Sequence, residues 1–144
     1  MEAHYKKLEQ MYLKANIQAK LFPSTTIKIE EKTATVTINI KQNYHHALNA
    51  VHGSVYFKLL DDACYFAVQS IVMDVFLLTT SFNLNLVRPV QNGLLKAVGK
   101  VRFTSKNIFT AEGVLYNEQG KEIAFGTGNF AKSKVALNEE IGYV

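Results

Sequence analysis

Two carboxylates stand side by side, Asp61 and Asp62, in "NAVHGSVYFKLLDDACYFAVQS", a stretch from Asn49 to Ser70 that is otherwise mostly apolar. An ionised carboxylate set against apolar packing costs several kcal/mol unless something pairs with it. A carboxylate is also the group that general-base or nucleophilic catalysis uses. Eight residues before Asp61, Gly53 follows His52 at the expected start of a helix. There the free backbone N–H groups and the positive dipole end can polarise an oxygen, and a residue without a side chain lets a ligand approach closely. Close packing of helix on sheet would ask for the same glycine, and both readings stand.

A helical wheel at about 100° per residue separates the two aspartates. Ser54, Lys58, Asp61, Asp62, Tyr65 and Gln69 share one sector of roughly 100°, and the rest of the circumference is apolar. Lys58 is placed to pair with Asp62 at i,i+4, on a stripe expected to face water. Asp61 lies on the other border, has no evident partner on its own helix, and is the candidate catalytic residue. Its distance from Gly53 along the helix is about 12 Å, while a carboxylate side chain reaches only about 3–4 Å. If both act on one carbonyl, they come from two copies of the chain, which predicts an obligate dimer with the site between subunits.

The surrounding elements must hold these groups. Ala3 to Lys20 reads as an amphipathic helix, with Tyr5, Leu8, Met11, Tyr12 and Ala15 near helical spacing, and residues 1–22 as an N-terminal helical addition. "TTIKIEEKTATVTINI" alternates: Ile27 with Ile29, then Val36, Ile38 and Ile40, with a hairpin turn at Glu31 and Lys32. A His-rich loop, "KQNYHHALNA", leads into the long helix. In "LLTTSFNLNLVRP" the residues Thr79, Ser81, Asn83 and Asn85 form a polar row opposite Leu78, Phe82, Leu84 and Leu86. "LLKAVGKVRFTS", "FTAEGVLYN" and "EIAFGTGNFA" follow as strands joined by short turns, and residues 132–144 read as a frayed tail. Short turns imply antiparallel neighbours. The long helix is too apolar for a surface, so the sheet should curl around it. The expectation is a single α+β domain over 1–144: an antiparallel sheet of about five to six strands around one long central helix, a hotdog fold.

Composition agrees with that size and narrows the function. The 144 residues are 48% hydrophobic, enough for one core. The one cysteine, Cys64, excludes an internal disulfide and reads as a small core residue. The start has no signal-type apolar core, and no run approaches the ~20 residues of a membrane span, so a cytoplasmic, soluble protein without membrane partners is expected. The net charge of +4 suits an anionic ligand as well as ordinary solubility. Its basic residues are scattered, which argues against nucleic acid. The histidines His45, His46 and His52 lack ligand spacing and a matching carboxylate or thiol, so no metal is expected.

"VHGSVYFKLLDDA" resembles the signature of hotdog-fold acyl-CoA thioesterases of the phenylacetate-degradation type: His-Gly-Gly at a helix start, then Leu-x-Asp further along. The similarity runs from about Ile27 to Lys132 and takes in "SFNLNLVRPV" and "GKEIAFGTGNF". It implies hydrolysis of an acyl-CoA thioester, with coenzyme A as part of the substrate and no other cofactor. The Gly53 N–H would hold the developing oxyanion, and Asp61 of a partner chain would act as general base or as nucleophile through an anhydride. His52 would orient the loop or the thioester, and Thr79 would position water. The family's loop Asn corresponds to His46 here, its loop Gly to Asn49 and its second Gly to Ser54, so that His46 or Asn49 would take over the loop's polar role. Ser54, Asn83, Arg88 and Lys106 are candidates for binding substrate, with Lys132 and Lys134 also placed for the CoA phosphates. A homo-oligomer, either a dimer or a dimer of dimers, is expected. The alternative is a non-catalytic hotdog protein that binds acyl-CoA or a small acyl ligand without turnover.

Overall fold

The computed structural model describes residues 1–144. Helix α1 (Glu2–Lys14) precedes a hairpin of β1 (Thr26–Glu30) and β2 (Thr33–Asn39); the long helix α2 (Gly53–Gln69) follows, then β3 (Val75–Leu86), β4 (Leu94–Thr104), β5 (Phe109–Tyr116) and β6 (Glu122–Ala136). The six strands form one sheet in the order β1-β2-β4-β5-β6-β3, and every neighbouring pair is antiparallel. The sheet wraps α2, which packs against β2, β4 and β5 and reaches β3 and β6. This is the expected α+β hotdog architecture with its N-terminal helix. No helix is long and apolar enough to cross a membrane.

At Gly99 the helix comes close enough to the sheet for backbone to meet backbone. Gly99 of β4 and Gly113 of β5 are paired across the sheet beneath Ala63 and Cys64. A Cβ on Gly99 would lie 2.4 Å from the Ala63 carbonyl oxygen, and one on Gly113 would lie 2.9 Å from Cys64 Sγ. Cys64 is the expected core residue; burial pushes its thiol up to about 12. Around this contact Leu59, Leu60, Ala97, Leu115 and Phe130 are fully buried.

Three expectations are corrected. The N-terminal helix does not run to Lys20. It stops at Lys14, where Ala15 turns extended (ψ 141°), and a short π turn follows over Ile17–Leu21. The buried face that holds the helix ends at Tyr12, and Ala15 is exposed. Beyond it Gln18 is buried and donates from Nε2 to the Tyr12 carbonyl, which draws the chain back over the helix end. Residues 132–144 are not a frayed tail. Strand β6 continues to Ala136 against the start of β3, and a 3-10 turn (Glu139–Ile141) returns the terminus to α1, where Tyr143 meets His4. The polar row on β3 is not continuous either. Thr79 pairs with Phe130 and Ser81 with Asn129, so Thr80 is an extra residue that flips the phase of the strand. Thr79 therefore faces α2 with Leu77, whereas Ser81 and Asn83 face away and Phe82 turns in to meet Phe57.

Because a Cβ at Gly99 would collide with backbone, Gly99→Ala should cost at least about 1–3 kcal/mol by overpacking. Urea unfolding measures this; a loss below about 0.5 kcal/mol, the range of ordinary surface changes, would contradict a backbone-seated helix.

Candidate active site

Asp61 sits midway along α2, half-buried, and its Oδ1 accepts a hydrogen bond from Thr79 Oγ1 at 2.9 Å. Burial pushes its carboxyl up to about 6, and the neighbouring Asp62 charge adds to the shift; the Thr79 hydrogen bond and the Lys58 charge oppose it. The carboxyl is thus poised near neutrality, where a general base works best. Asp61 and Thr79 line a cleft of about 730 Å³, whose walls include Phe66, Phe76, Leu77 and Leu78.

Asp62 has a different occupation. Lys58 Nζ lies 2.7 Å from its Oδ2, the i,i+4 pair expected, and Tyr12 Oη donates to the same oxygen at 2.6 Å. The stripe does not face water, however. Tyr12, Gln18 and Phe22 roof it: Lys58 also donates to Gln18 Oε1 and stands 4.7 Å from the Phe22 ring centroid. Only 13% of the Lys58 side chain and 19% of Asp62 remain accessible. Folding back of the residues after α1 is what dries the stripe, and the wheel of α2 alone carries no sign of it.

The same stripe holds two further polar residues whose role comes from the fold. Tyr65 and Gln69 follow Asp61 at intervals of four, and all three reach β3. Tyr65 Oη donates to the Leu77 carbonyl at 3.0 Å and accepts from the Leu77 amide at 3.1 Å. Gln69 Oε1 accepts from the same amide, while its Nε2 donates to the Val72 and Val75 carbonyls. The signal was present as the i, i+4, i+8 recurrence of polar side chains on an apolar helix.

At the start of α2, His52 is the N-cap and its Nδ1 accepts from the Ser54 amide at 3.0 Å. Nδ1 therefore carries no proton, and the Ser54 hydroxyl lies 2.7 Å from it. The Gly53 amide makes no hydrogen bond within the chain; at the first position of α2 it has no intrahelical acceptor. In the preceding loop His46 Nδ1 accepts from the Leu48 amide, and His45 lies 2.7 Å from the Gln91 carbonyl. Asn49 has φ +61°, the left-handed conformation. A glycine enters that region freely and Asn more readily than most other side chains, which accounts for Asn49 at the loop-glycine position.

The chain brings Asp61 and Thr79 together, and separately His52, Gly53 and Ser54. The two groups lie apart: eight residues of helix, about 12 Å, separate Gly53 from Asp61. Asn83 is on the sheet face turned from α2; Arg88 Nε donates to the Glu122 carbonyl at the end of β3; Lys106 is on the β4–β5 turn. None of the three lines the Asp61 cleft.

Solved structures share this fold over nearly the whole chain. The PaaI protein of the phenylacetic acid degradation operon of Escherichia coli superposes with a TM-score of 0.83 at 20% identity, covering 94% of this chain and 96% of that one. A thioesterase of Haemophilus influenzae gives 0.75 at 17% identity over 89% and 90% of the two chains. A mutant thioesterase of Pseudomonas aeruginosa gives 0.77 at 18% identity over 90% and 94%. These define a hotdog fold. No curated protein sequence gives a match. The family model of the thioesterase superfamily matches residues 48–124, a segment holding His52, Gly53, Asp61 and Thr79, and the chain belongs to that superfamily.

The raised carboxyl has a consequence for stability. Asp61 is lifted from 3.8 to about 6, so the native chain holds that proton more tightly than the unfolded one. The penalty is absent below about pH 4 and fully present above about pH 6. Asp61→Asn should therefore stabilise the fold at pH 7.5, on the order of 1–2 kcal/mol after solvent screening, and add little at pH 4. Paired urea titrations at the two pH values check it; equal gains at both would contradict a strained Asp61.

Proposed function

We propose that the chain hydrolyses an acyl-CoA thioester to the free acid and CoA, at a site shared by two copies. The observation that carries this reading is Asp61: a half-buried carboxyl pushed up to about 6, held by Thr79 in a mostly apolar cleft. Asp61 takes a proton from water, and the hydroxide attacks the thioester carbonyl carbon. The tetrahedral oxyanion is received by the unpaired Gly53 amide of the second copy, at the positive end of its α2. Collapse breaks the C–S bond, and the proton on Asp61 passes to the departing CoA thiolate.

The sheet supports a second copy. Strand β3 is an edge strand of 12 residues, "VFLLTTSFNLNL", with no charge and no proline to block pairing. Such an edge invites another strand, whereas the opposite edge, β1, is only five residues long and is packed by α1. The net charge of +4 favours the phosphates of CoA.

Release of free thiol from a panel of acyl- and aroyl-CoA substrates tests the reaction, and Asp61→Asn should lower the rate by about 10²–10⁴-fold. Binding without thiol release would overturn it. The shared site has its own test. Gly53→Pro removes the amide proton at a position where helices accept proline, and its Cβ would lie 3.1 Å from Leu86 Cδ1, the far end of a side chain that can shift. Each variant alone should be inactive, but refolded together in equal amounts they should recover about a quarter of wild-type activity, since half the dimers are mixed and each holds one intact site. No recovery, or a monomer by light scattering, contradicts the two-chain site.

The pH profile is separately informative. The rate should rise with pH through about 6 as Asp61 loses its proton. Thr79→Val removes the hydrogen bond that favours the ionised form, so the rise should move to higher pH, and Thr79→Ser should restore it. An unmoved profile in Thr79→Val would dissociate Thr79 from the base.

A further inference from the structure

The Asp61 cleft is built from two parts of the chain. Eight of its fifteen lining residues, including Asp61 and Thr79, fall within the segment that matches the thioesterase superfamily; the other seven fall outside it. Those seven come from the two ends of the chain. Met11, Tyr12 and Ala15 stand on or just after α1, with Gln18 beyond, and Ser133, Val135 and Ile141 belong to the end of β6 and the C-terminal turn. The family match holds the reactive residues of the cleft, and the two terminal segments supply nearly half of its lining.

That wall is fastened. His4 is buried, with Nε2 2.9 Å from the Gln69 carbonyl, so this nitrogen donates; Nδ1 then accepts from Tyr143 Oη at 2.7 Å. One side chain thus ties α1, the end of α2 and the C-terminus. Tyr12 and Gln18 tie the other end of α1 to Asp62 and Lys58.

The wall is also chemically closed to polar groups. Tyr12 is committed to Asp62, Tyr65 to Leu77, Gln18 to Tyr12 and Lys58, and Ser133 to the Phe76 carbonyl. No buried side-chain nitrogen or oxygen in the chain lacks a partner. Ten of the fifteen lining residues are hydrophobic, and the only charged ones are two carboxylates. A polar acyl group would find no donor there, and an anionic one would meet like charge at close range.

We infer that the acyl part of the substrate lies in this cleft as an uncharged, apolar chain, and that Met11, Ala15 and Ile141 of the terminal segments set the length accepted. This rests on the thioester reading of Asp61. The residues that set length are then separate from those that break the bond.

The test is kcat/KM across straight-chain acyl-CoAs of four, eight and twelve carbons, with succinyl-CoA as the anionic arm. Ala15 is exposed at the end of α1, so Ala15→Phe adds bulk to the cleft without entering the core. It should lower the twelve- to four-carbon ratio by about tenfold or more, and Ile141→Ala should raise that ratio. Succinyl-CoA should be at least about a hundredfold poorer than butyryl-CoA. An unchanged ratio in both variants, or succinyl-CoA turned over as well as butyryl-CoA, overturns the inference. If the wild type releases no thiol from any substrate, the thioesterase reading falls, and the cleft is then read by calorimetry with 1-octanol and 1-dodecanol. Binding that Ala15→Phe weakens by about fivefold or more upholds the terminal wall as a length gauge, and absent or unaffected binding overturns it.

Discussion

The arrangement depends on a ladder of polar side chains, Asp61, Tyr65 and Gln69, by which α2 holds the start of β3. The strand is irregular there, with register breaks between Val75 and Leu77 and again between Thr79 and Ser81. Between those breaks the Leu77 amide and carbonyl turn to Tyr65 and Gln69. Leu77 is fully buried, so a lost partner would leave a backbone group unsatisfied at about 1–3 kcal/mol. The third rung is the Thr79 hydroxyl on Asp61. The residue beside the carboxylate is thus positioned by bonds made two and four residues further back along the strand.

Adjacent in sequence, Asp61 and Asp62 are opposites in energy. Asp62 shares its charge with Lys58 and Tyr12 and so fastens α1 to α2. Asp61 receives one hydroxyl hydrogen bond and is pushed toward its neutral form by burial and by its neighbour's charge. A protein selected for stability alone would pair it or remove it. That the strain falls on one of the two carboxylates lining the cleft, while the other is fully partnered, is the pattern expected where a reactive base is kept ready.

Much of this was legible in the sequence because it is local. The i,i+4 pairing of Lys58 with Asp62, the start of α2 at Gly53, the Glu31–Lys32 turn and the apolar setting of Cys64 all depend on residues within one or two turns of each other. What could not be read was set at long range. The bulge at Thr80 follows from the register with β6, some 50 residues away, and a strict two-residue alternation conceals it. The roof over the α2 stripe depends on Gln18 and Tyr12 folding across it, and the order of residues 132–144 depends on β3 and on His4. Asn49 is an intermediate case: its type fits a left-handed turn, but only the folded loop shows that the turn is there.

The same strand serves two ends. On its inner face β3 presents Thr79 to Asp61, and along its outer edge it leaves its backbone groups open. A rigid edge pairs with another strand at lower entropic cost than a mobile one, since less order remains to be imposed. By fixing Leu77 and Val75, Tyr65 and Gln69 therefore prepare both the hydroxyl beside the base and the surface a second copy would meet. The 12 Å between Gly53 and Asp61 ceases to be an obstacle once two helices are present. In the proposed dimer a two-fold axis would set each helix start toward the other chain's carboxylate, so that one helix would supply half of two sites.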